Sequence, residues 1–263
     1  MDTKNDGNII FNRLSFEVIG VHRRCALQLI PYVKDPEINR SMHFSQLKSS
    51  RQYNFISKDK VSLDGGYRLC RTTRFLPNGD KDYYFEFKFN ATNENSHVRF
   101  GISTIEAKLE YPVGCDKHGY SVCDNGCAFH RGINFKSTPF RNDDIVGIGI
   151  FHLEDKLGFR LFINGNDKGI IFDDIDQNKL WFPAVSIYNG AVVEGTFDRP
   201  FQNDPGESWD AANDLPKYET DDLFTSNLLV KVMKGEATVP KQFEKEMLEA
   251  IDVVLTPSHL MPI

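Results

Sequence analysis

The sequence predicts an all-β protein: an antiparallel sandwich followed by one amphipathic helix near the C-terminus. Three observations support this class. Aromatic residues make up 12% of the 263 residues and 21 of them are phenylalanine, whose flat rings fill the space between two pleated faces. Short apolar runs separated by turn residues recur from residue 61 to residue 197. Strand–helix–strand units and internal repeats are missing from the sequence pattern, which disfavours a parallel sheet.

The predicted strands follow one another at short intervals. In chain order they are residues 61–63, 67–71, 83–89, 98–103, 119–122, 145–151, 159–163, 168–172, 182–188 and 191–197. Residues 83–89 alternate most clearly, with Tyr83, Phe85, Phe87 and Phe89 on one face. The turn residues 64–66 predict that 67–71 returns beside 61–63. Asn-Gly pairs at 164–165 and 189–190 predict two tight hairpins.

The composition excludes some functional classes. The net charge is −6 and the pI is about 5.7, so the chain has no overall basic footprint for nucleic acid. No stretch approaches the about 20 apolar residues that span a bilayer, and the N-terminus has no signal-peptide pattern. Five cysteines, at positions 25, 70, 115, 123 and 127, form an odd set that is typical of a reducing compartment. We therefore expect an intracellular protein.

Four segments are predicted. Residues 1–54 form a partly irregular N-terminal extension, 55–199 the sandwich, 200–239 an acidic, proline-containing linker or wrap, and 240–256 a helix. The basic residues around the first boundary are interpreted as a solvated face, with a nucleic-acid contact as the alternative; they are Arg40, Lys48, Arg51, Lys58 and Lys60.

The helix predicted at 240–256 begins with Pro240, which fits the first turn of a helix. Its apolar stripe consists of Phe243, Met247, Ile251, Val254 and Leu255. Such a stripe usually packs on its own domain, and docking into a partner is the alternative. The terminal position and the linker before it favour docking.

Residues 159–197 resemble the second half of a SPRY domain. The matching pieces are Ile163-Asn164-Gly165, Gly169 to Phe172, Trp181 to Ile187 and Thr196-Phe197, in that order. Residues 99–103 and 112–121, together with Phe129-His130, resemble the SPRY subunit of trithorax-type histone methyltransferase complexes, the ASH-two-like family of COMPASS. The resemblance covers residues 55–255 and lacks the PHD-like and winged-helix regions of animal members, so we expect a shortened, diverged member.

The resemblance implies a binding pocket for an acidic segment of a β-propeller subunit similar to retinoblastoma-binding protein five. By matching motifs, the pocket retains Tyr67, Arg99 and Pro112. It departs from the family at Cys115, where tyrosine is usual, and at Cys123, where arginine is usual, so one ring and one cation are lost. Lys117 and Arg131 are candidates to compensate.

The resemblance also implies a function. The chain is expected to be a non-catalytic scaffold in the nucleus, holding the SET-domain and propeller subunits through the SPRY face and a Dpy-thirty-like dimer through the helix. The methyl donor would belong to the SET subunit, so this chain needs no cofactor. The alternative is a generic SPRY peptide-binding adaptor of the ubiquitin-ligase or Ran-binding type.

The sequence lacks the common motifs of enzymes and of structural zinc sites. The sequence has no nucleophile elbow, glycine-rich phosphate loop or His-Glu-x-x-His helix, so we expect no enzyme. Cys115, Cys123, Cys127 and His130 could supply zinc ligands, but they lack a Cys-x-x-Cys knuckle and we expect no metal. The aspartate groups at 143–144 and 173–176 are interpreted as turn residues.

Overall fold

Two β-sheets pack face to face in the computed structural model, which describes residues 41–76 and 81–214. In chain order the strands are β1 (Asn54–Ser57), β2 (Lys60–Leu63), β3 (Arg68–Arg71), β4 (Tyr83–Ala91), β5 (His97–Ser103), β6 (Gly119–Cys123), β7 (Cys127–His130), β8 (Ile133–Lys136), β9 (Ile145–Leu153), β10 (Lys156–Ile163), β11 (Asn166–Asp176), β12 (Phe182–Tyr188), β13 (Ala191–Thr196) and β14 (Asp210–Ala211).

The sheet order explains which residues meet in the core. One sheet runs β1-β2-β13-β4-β9-β10-β11, with β14 pairing parallel to β4, and the other runs β3-β12-β5-β6-β7-β8. The other strand pairs are antiparallel, which confirms the antiparallel sandwich of the predicted fold class. The helix predicted at 240–256 lies outside the described residues. Within the described part, no helix is long and apolar enough to cross a membrane.

The alternation predicted for β4 is confirmed. Tyr83, Phe85, Phe87 and Phe89 are buried in the core between the sheets. The Phe87 ring stacks on Phe100 of the opposite sheet, with centroids 4.9 Å apart. Burying a side chain of this size contributes about 1.5–3 kcal/mol, so this row of rings holds the two sheets together.

The outer face of the larger sheet is also covered. Tyr84 points there from β4 and packs against Phe162, Phe201 and Trp209. Residues 198–214, which include the start of the predicted linker or wrap, lie over this face. The buried Glu86 carboxylate holds them by accepting the backbone N–H groups of residues 202 and 203, each at 2.8 Å.

Two predicted pairings are wrong. Asn189 and Gly190 do form a turn with positive φ, at 56° and 81°, but β12 and β13 belong to different sheets. Likewise 67–71 does not return beside 61–63, because β2 pairs with β1 and β13 while β3 pairs with β12. In both places the turn carries the chain from one sheet to the other. A tight turn specifies a reversal of the chain, and long-range packing decides the pairing.

One residue that was interpreted as part of a solvated face is buried in the structure. Lys48 is 7% exposed, and its Nζ donates a hydrogen bond to the Thr73 carbonyl oxygen at 2.7 Å. Its charged head is satisfied by backbone inside the fold. The interpretation as a solvent-exposed cation is therefore wrong for Lys48.

Candidate functional site

Strand β5 presents Arg99 on the outer face of the six-stranded sheet. Its chain neighbours Val98 and Phe100 are fully buried in the core, so alternation turns Arg99 outward. In register, Arg99 lies opposite Cys123 on β6 and Ser186 on β12. The buried neighbours hold the backbone of β5 in place, so the position of Arg99 on the outer face is fixed.

Two aromatic rings hold the Arg99 guanidinium. Its carbon atom lies 3.6 Å from the centroid of the Phe129 ring and 5.1 Å from that of Tyr67. We call Tyr67, Arg99, Cys123 and Phe129 the Arg99 cluster. Planar guanidinium stacks well on ring faces, which are negative at the centre. The rings therefore fix the orientation of the cation.

No carboxylate neutralises Arg99 among the described residues. Its Nη1 donates a long hydrogen bond of 3.4 Å to the Val113 carbonyl oxygen. Its Nε is buried and has no hydrogen-bond partner within the described ranges. Buried charges are normally paired, because an unpaired one is costly to desolvate. The arrangement suits an anion that arrives from outside the chain.

The loop after β5 closes one side of the cluster. Val113 N–H donates to Ser186 Oγ, and Ser121 Oγ donates to the Val113 carbonyl, both at 2.9 Å. Gly114 follows with φ of 82° and comes so close to Phe129 that a Cβ would strike its carbonyl oxygen. These contacts fix Val113 beside the cluster, and Pro112, which precedes it in the chain, is half-buried.

Cys123 is a buried member of the cluster. Its thiol donates to Asp124 Oδ1 at 3.3 Å, and burial raises the pKa of this thiol to about 12. The side chain therefore remains a neutral thiol near pH 7, which makes it a poor nucleophile and a poor metal ligand. Burial also raises the pKa of Tyr67, and the neighbouring Cys123 thiol adds to that rise.

The structure brings together three of the five predicted pocket residues, Tyr67, Arg99 and Cys123. Pro112 directly precedes Val113, whose carbonyl oxygen accepts from Arg99. Cys115 is exposed, and the described residues give its thiol no hydrogen bond or ring contact; only its N–H is bonded, to the Pro112 carbonyl at 3.1 Å. Lys117 is exposed as well.

Sequence reasoning missed the aromatic side of the site. Phe129 matched a family motif but was not assigned to the pocket, and Tyr188 was not considered. Tyr188 packs on Tyr67 with ring centroids 5.0 Å apart. The signal for Phe129 was the alternation of β7, where Ala128 and His130 are buried and Phe129 faces the other side. Assigning it to Arg99 required the pairing of three strands.

The four candidate zinc ligands do not converge. Cys115 is exposed, Cys123 is bonded to Asp124, and Cys127 is half-buried. His130 stacks on Tyr120 with centroids 3.8 Å apart and donates from Nδ1 to the Gly119 carbonyl at 2.9 Å. In residues 41–76 and 81–214, no group of three His, Cys, Asp or Glu side chains is arranged to hold a metal ion.

Asp144 and Asp176 act in turns, as predicted, whereas the turn interpretation is wrong for Asp173 and Asp174, which lie within β11. Asp144 accepts the backbone N–H of Arg141 at 2.7 Å and an amide hydrogen bond from Asn164. Asp176 accepts the N–H of Asn178 at 2.9 Å. Each carboxylate stabilises the local backbone that follows a strand or precedes one.

The fold and a comparison with known families define the class of this domain. Residues 82–200, which lie in the two-sheet sandwich, match the SPRY domain family. The solved SPRY domain of human HERC1 superposes with a TM-score of 0.52 at 17% identity, covering 60% of this chain and 99% of that one. At that identity the similarity shows the fold alone.

Among curated proteins, the chain is similar in sequence to subunits of Set1 histone methyltransferase complexes. The chain is 34% identical over 95 residues to the Set1 complex component ash2 of Schizosaccharomyces pombe, covering 34% of this chain and 14% of that protein. It is 25% identical over 192 residues to the Set1/Ash2 histone methyltransferase complex subunit ASH2 of Drosophila melanogaster, covering 56% and 34%.

A third relative agrees with these two. The chain is 29% identical over 126 residues to the Set1/Ash2 histone methyltransferase complex subunit ash-2 of Caenorhabditis elegans, covering 43% of this chain and 21% of that protein. The matched segments span about a third or less of each relative. The predicted resemblance to a SPRY domain of Ash2-type subunits is confirmed.

Proposed function

We propose that this chain is a non-catalytic scaffold subunit of a SET-domain methyltransferase complex that acts on lysine four of histone H3. The observation that carries the proposal is Arg99, held between two aromatic rings on a SPRY sandwich with no carboxylate partner among the described residues. The similarity to three Ash2-type subunits supports the choice of complex.

The Arg99 cluster takes an acidic segment of the β-propeller subunit. A carboxylate that reaches Arg99 replaces solvent on a preoriented cation, and hydrogen bonds to charged groups contribute about 1.5–3 kcal/mol. The aromatic walls supply apolar contact on either side of the cation. The flat SPRY face then holds the propeller and SET-domain subunits in an active arrangement.

The second contact is assigned to the predicted helix. Its stripe of Phe243, Met247, Ile251, Val254 and Leu255 docks on a Dpy-thirty-like dimer. The methyl donor and the chemistry remain with the SET subunit. The complex acts on chromatin, so the chain is expected in the nucleus.

The first test is capture of the same organism's propeller subunit by the tagged full chain. Arg99→Glu reverses the charge at the centre of the cluster and is expected to abolish capture. Lys156→Glu is the matched control, because Lys156 is an exposed cation on the other sheet. If Arg99→Glu captures the propeller subunit as well as the unaltered chain does, the assignment of the pocket is wrong.

The second test addresses the helix. The full chain and a chain ending at Val239 are each co-expressed with the same organism's Dpy-thirty homologue and separated by size exclusion. We expect only the full chain to co-elute. If neither co-elutes while both stay folded, the SPRY peptide-binding adaptor becomes the better account.

A further inference from the structure

A second basic side chain shares the outer face of β5 with Arg99. His97 stands two residues before it, so the alternation of the strand puts both on the same face. The His97 ring lies 6.3 Å from that of Tyr188, which in turn packs on Tyr67 of the Arg99 cluster. The rings form a continuous row from His97 to the cluster.

The Asp124 carboxylate fixes the orientation of His97. Oδ2 of Asp124 accepts from His97 Nδ1 at 2.8 Å, while Oδ1 accepts the N–H of Val98 at 3.0 Å and the Cys123 thiol. Asp124 is 14% exposed, whereas the His97 side chain is 42% exposed. The acid is thus anchored in the sheet and the imidazole faces solvent.

This arrangement leaves one ring nitrogen of His97 toward a ligand. With Nδ1 bonded to Asp124, Nε2 has no hydrogen-bond partner among the described residues, and it donates to an acid in the imidazolium form, in which both nitrogens carry a proton. Three donors already satisfy Asp124, which limits its repulsion of an incoming anion. Glu110, in the loop after β5, is paired with Arg68 at 2.6 Å.

We propose that His97 and Arg99 together bind two acidic side chains of an extended segment. The two acidic residues are separated by one other residue in that segment. Positions i and i+2 of a strand are about 7 Å apart on the same face, and the same spacing separates alternate side chains of an extended peptide. The inference rests on the proposed function, because it assumes that the Arg99 cluster binds acidic protein. It adds His97 as a second contact for the acidic segment, and it specifies the spacing of the two acidic residues.

The test uses fluorescein-labelled synthetic peptides and fluorescence polarisation with the full chain. The probes are Ser-Glu-Ser-Glu-Ser, the adjacent form Ser-Glu-Glu-Ser-Ser, and the single-acid form Ser-Glu-Ser-Gln-Ser. We expect the alternating peptide to bind most tightly. His97→Gln retains a hydrogen bond to Asp124 and is expected to weaken the alternating peptide about fivefold, to the level of the single-acid form.

Two variants control for a structural effect. His97→Lys places a permanent cation at this position and is expected to retain most of the affinity that His97→Gln loses. His152→Gln alters another histidine beside a carboxylate, 3.5 Å from Asp82 on the other sheet, and is expected to change nothing.

The outcomes separate the two claims. If Arg99→Gln weakens all peptides but His97→Gln weakens none, or if the alternating and adjacent peptides bind equally, the inference about His97 is overturned and the proposed function stands. If Arg99→Gln leaves binding of every peptide unchanged, the proposed acidic-segment site is itself overturned.

Discussion

The Arg99 guanidinium lies 3.6 Å from the centre of the Phe129 ring, although β6 separates their strands. The residues of β6 that pair with them are Cys123 and Ser121, both small. Their short side chains leave room for the arginine to cross above the strand. The cation–ring contact therefore depends on what β6 presents between the two partners.

Phe129→Leu should weaken binding of the acidic propeller segment without unfolding the domain. The leucine removes the ring face, and a cation–π contact contributes about 1 kcal/mol at a partly exposed site, which is about fivefold in affinity. Isothermal titration with the propeller subunit measures this loss. Phe135→Leu is the control, because Phe135 on β8 packs against Phe172 instead. Equal losses in both variants would contradict the role of the contact.

Gly101→Ala should destabilise the six-stranded sheet. A Cβ at this position would strike the Tyr120 carbonyl oxygen on β6, so the two strands must separate. Overpacking of this kind costs about 1–3 kcal/mol of unfolding free energy, measured by urea denaturation. At Gly66 the nearest atom to a new Cβ is Arg68 Nη1 at 3.8 Å, so Gly66→Ala should stay near the unaltered value. Matching midpoints for the two variants would refute the explanation.

Trp209→Ala should show that residues 198–214 stabilise the sandwich. The indole packs on Tyr84, Phe151 and Phe162, and it fills the space above Gly149. Its removal is expected to cost about 3 kcal/mol, at the low end for a large aromatic because the ring is only half-buried. The exposed neighbour Glu207, changed to alanine, provides the control in the same denaturation series. If Trp209→Ala leaves the free energy of unfolding unchanged, the contacts of this segment with the sheet do not stabilise the sandwich.

His130 should make the domain less stable in mild acid. Burial lowers its pKa, because protonation would place a donor at Nε2, which is buried and has no partner within the described ranges. The unfolded chain takes up this proton near a pKa of about 6.5, so stability is full above that pH and falls as the pH drops through it toward the lower folded pKa.

The variant His130→Phe tests this assignment. Phenylalanine preserves the stack on Tyr120 and removes the titrating group. The melting temperature is measured between pH 7.5 and pH 5, a range of about one unit or more on either side of the ordinary histidine pKa. We expect a flatter profile for the variant. Parallel profiles would show that other groups cause the acid sensitivity.

Local pattern predicted much of the fold. The alternation along β4 identified which side chains enter the core, because the inner face of a strand must be apolar when two sheets stack. The pair Asn164-Gly165 predicted the β10–β11 hairpin correctly, and the same dipeptide at 189–190 did not. Both turns have positive φ at the two residues. The strands on either side of Asn164-Gly165 pair with each other, whereas those on either side of 189–190 pair with strands distant in sequence. The residues of the turn do not specify this long-range pairing.

The candidate site was only partly predictable for a related reason. Motif matching found Tyr67 and Arg99, but the contact of Arg99 with Phe129 depends on the register of β5, β6 and β7 together. The burial of Lys48 was also hidden, because its acceptor is a backbone carbonyl distant in sequence. Composition and spacing identify candidate side chains, while strand register decides which of them meet.

The measurement that tests the central claim most directly is methylation of histone H3 at lysine four by the same organism's SET-domain subunit, assembled with its propeller and Dpy-thirty-like subunits. The rate is compared without this chain, with the full chain, and with the Arg99→Glu chain. We expect the full chain to raise the rate and Arg99→Glu to lose most of the increase. An equal rate with and without the folded full chain would contradict the scaffold function.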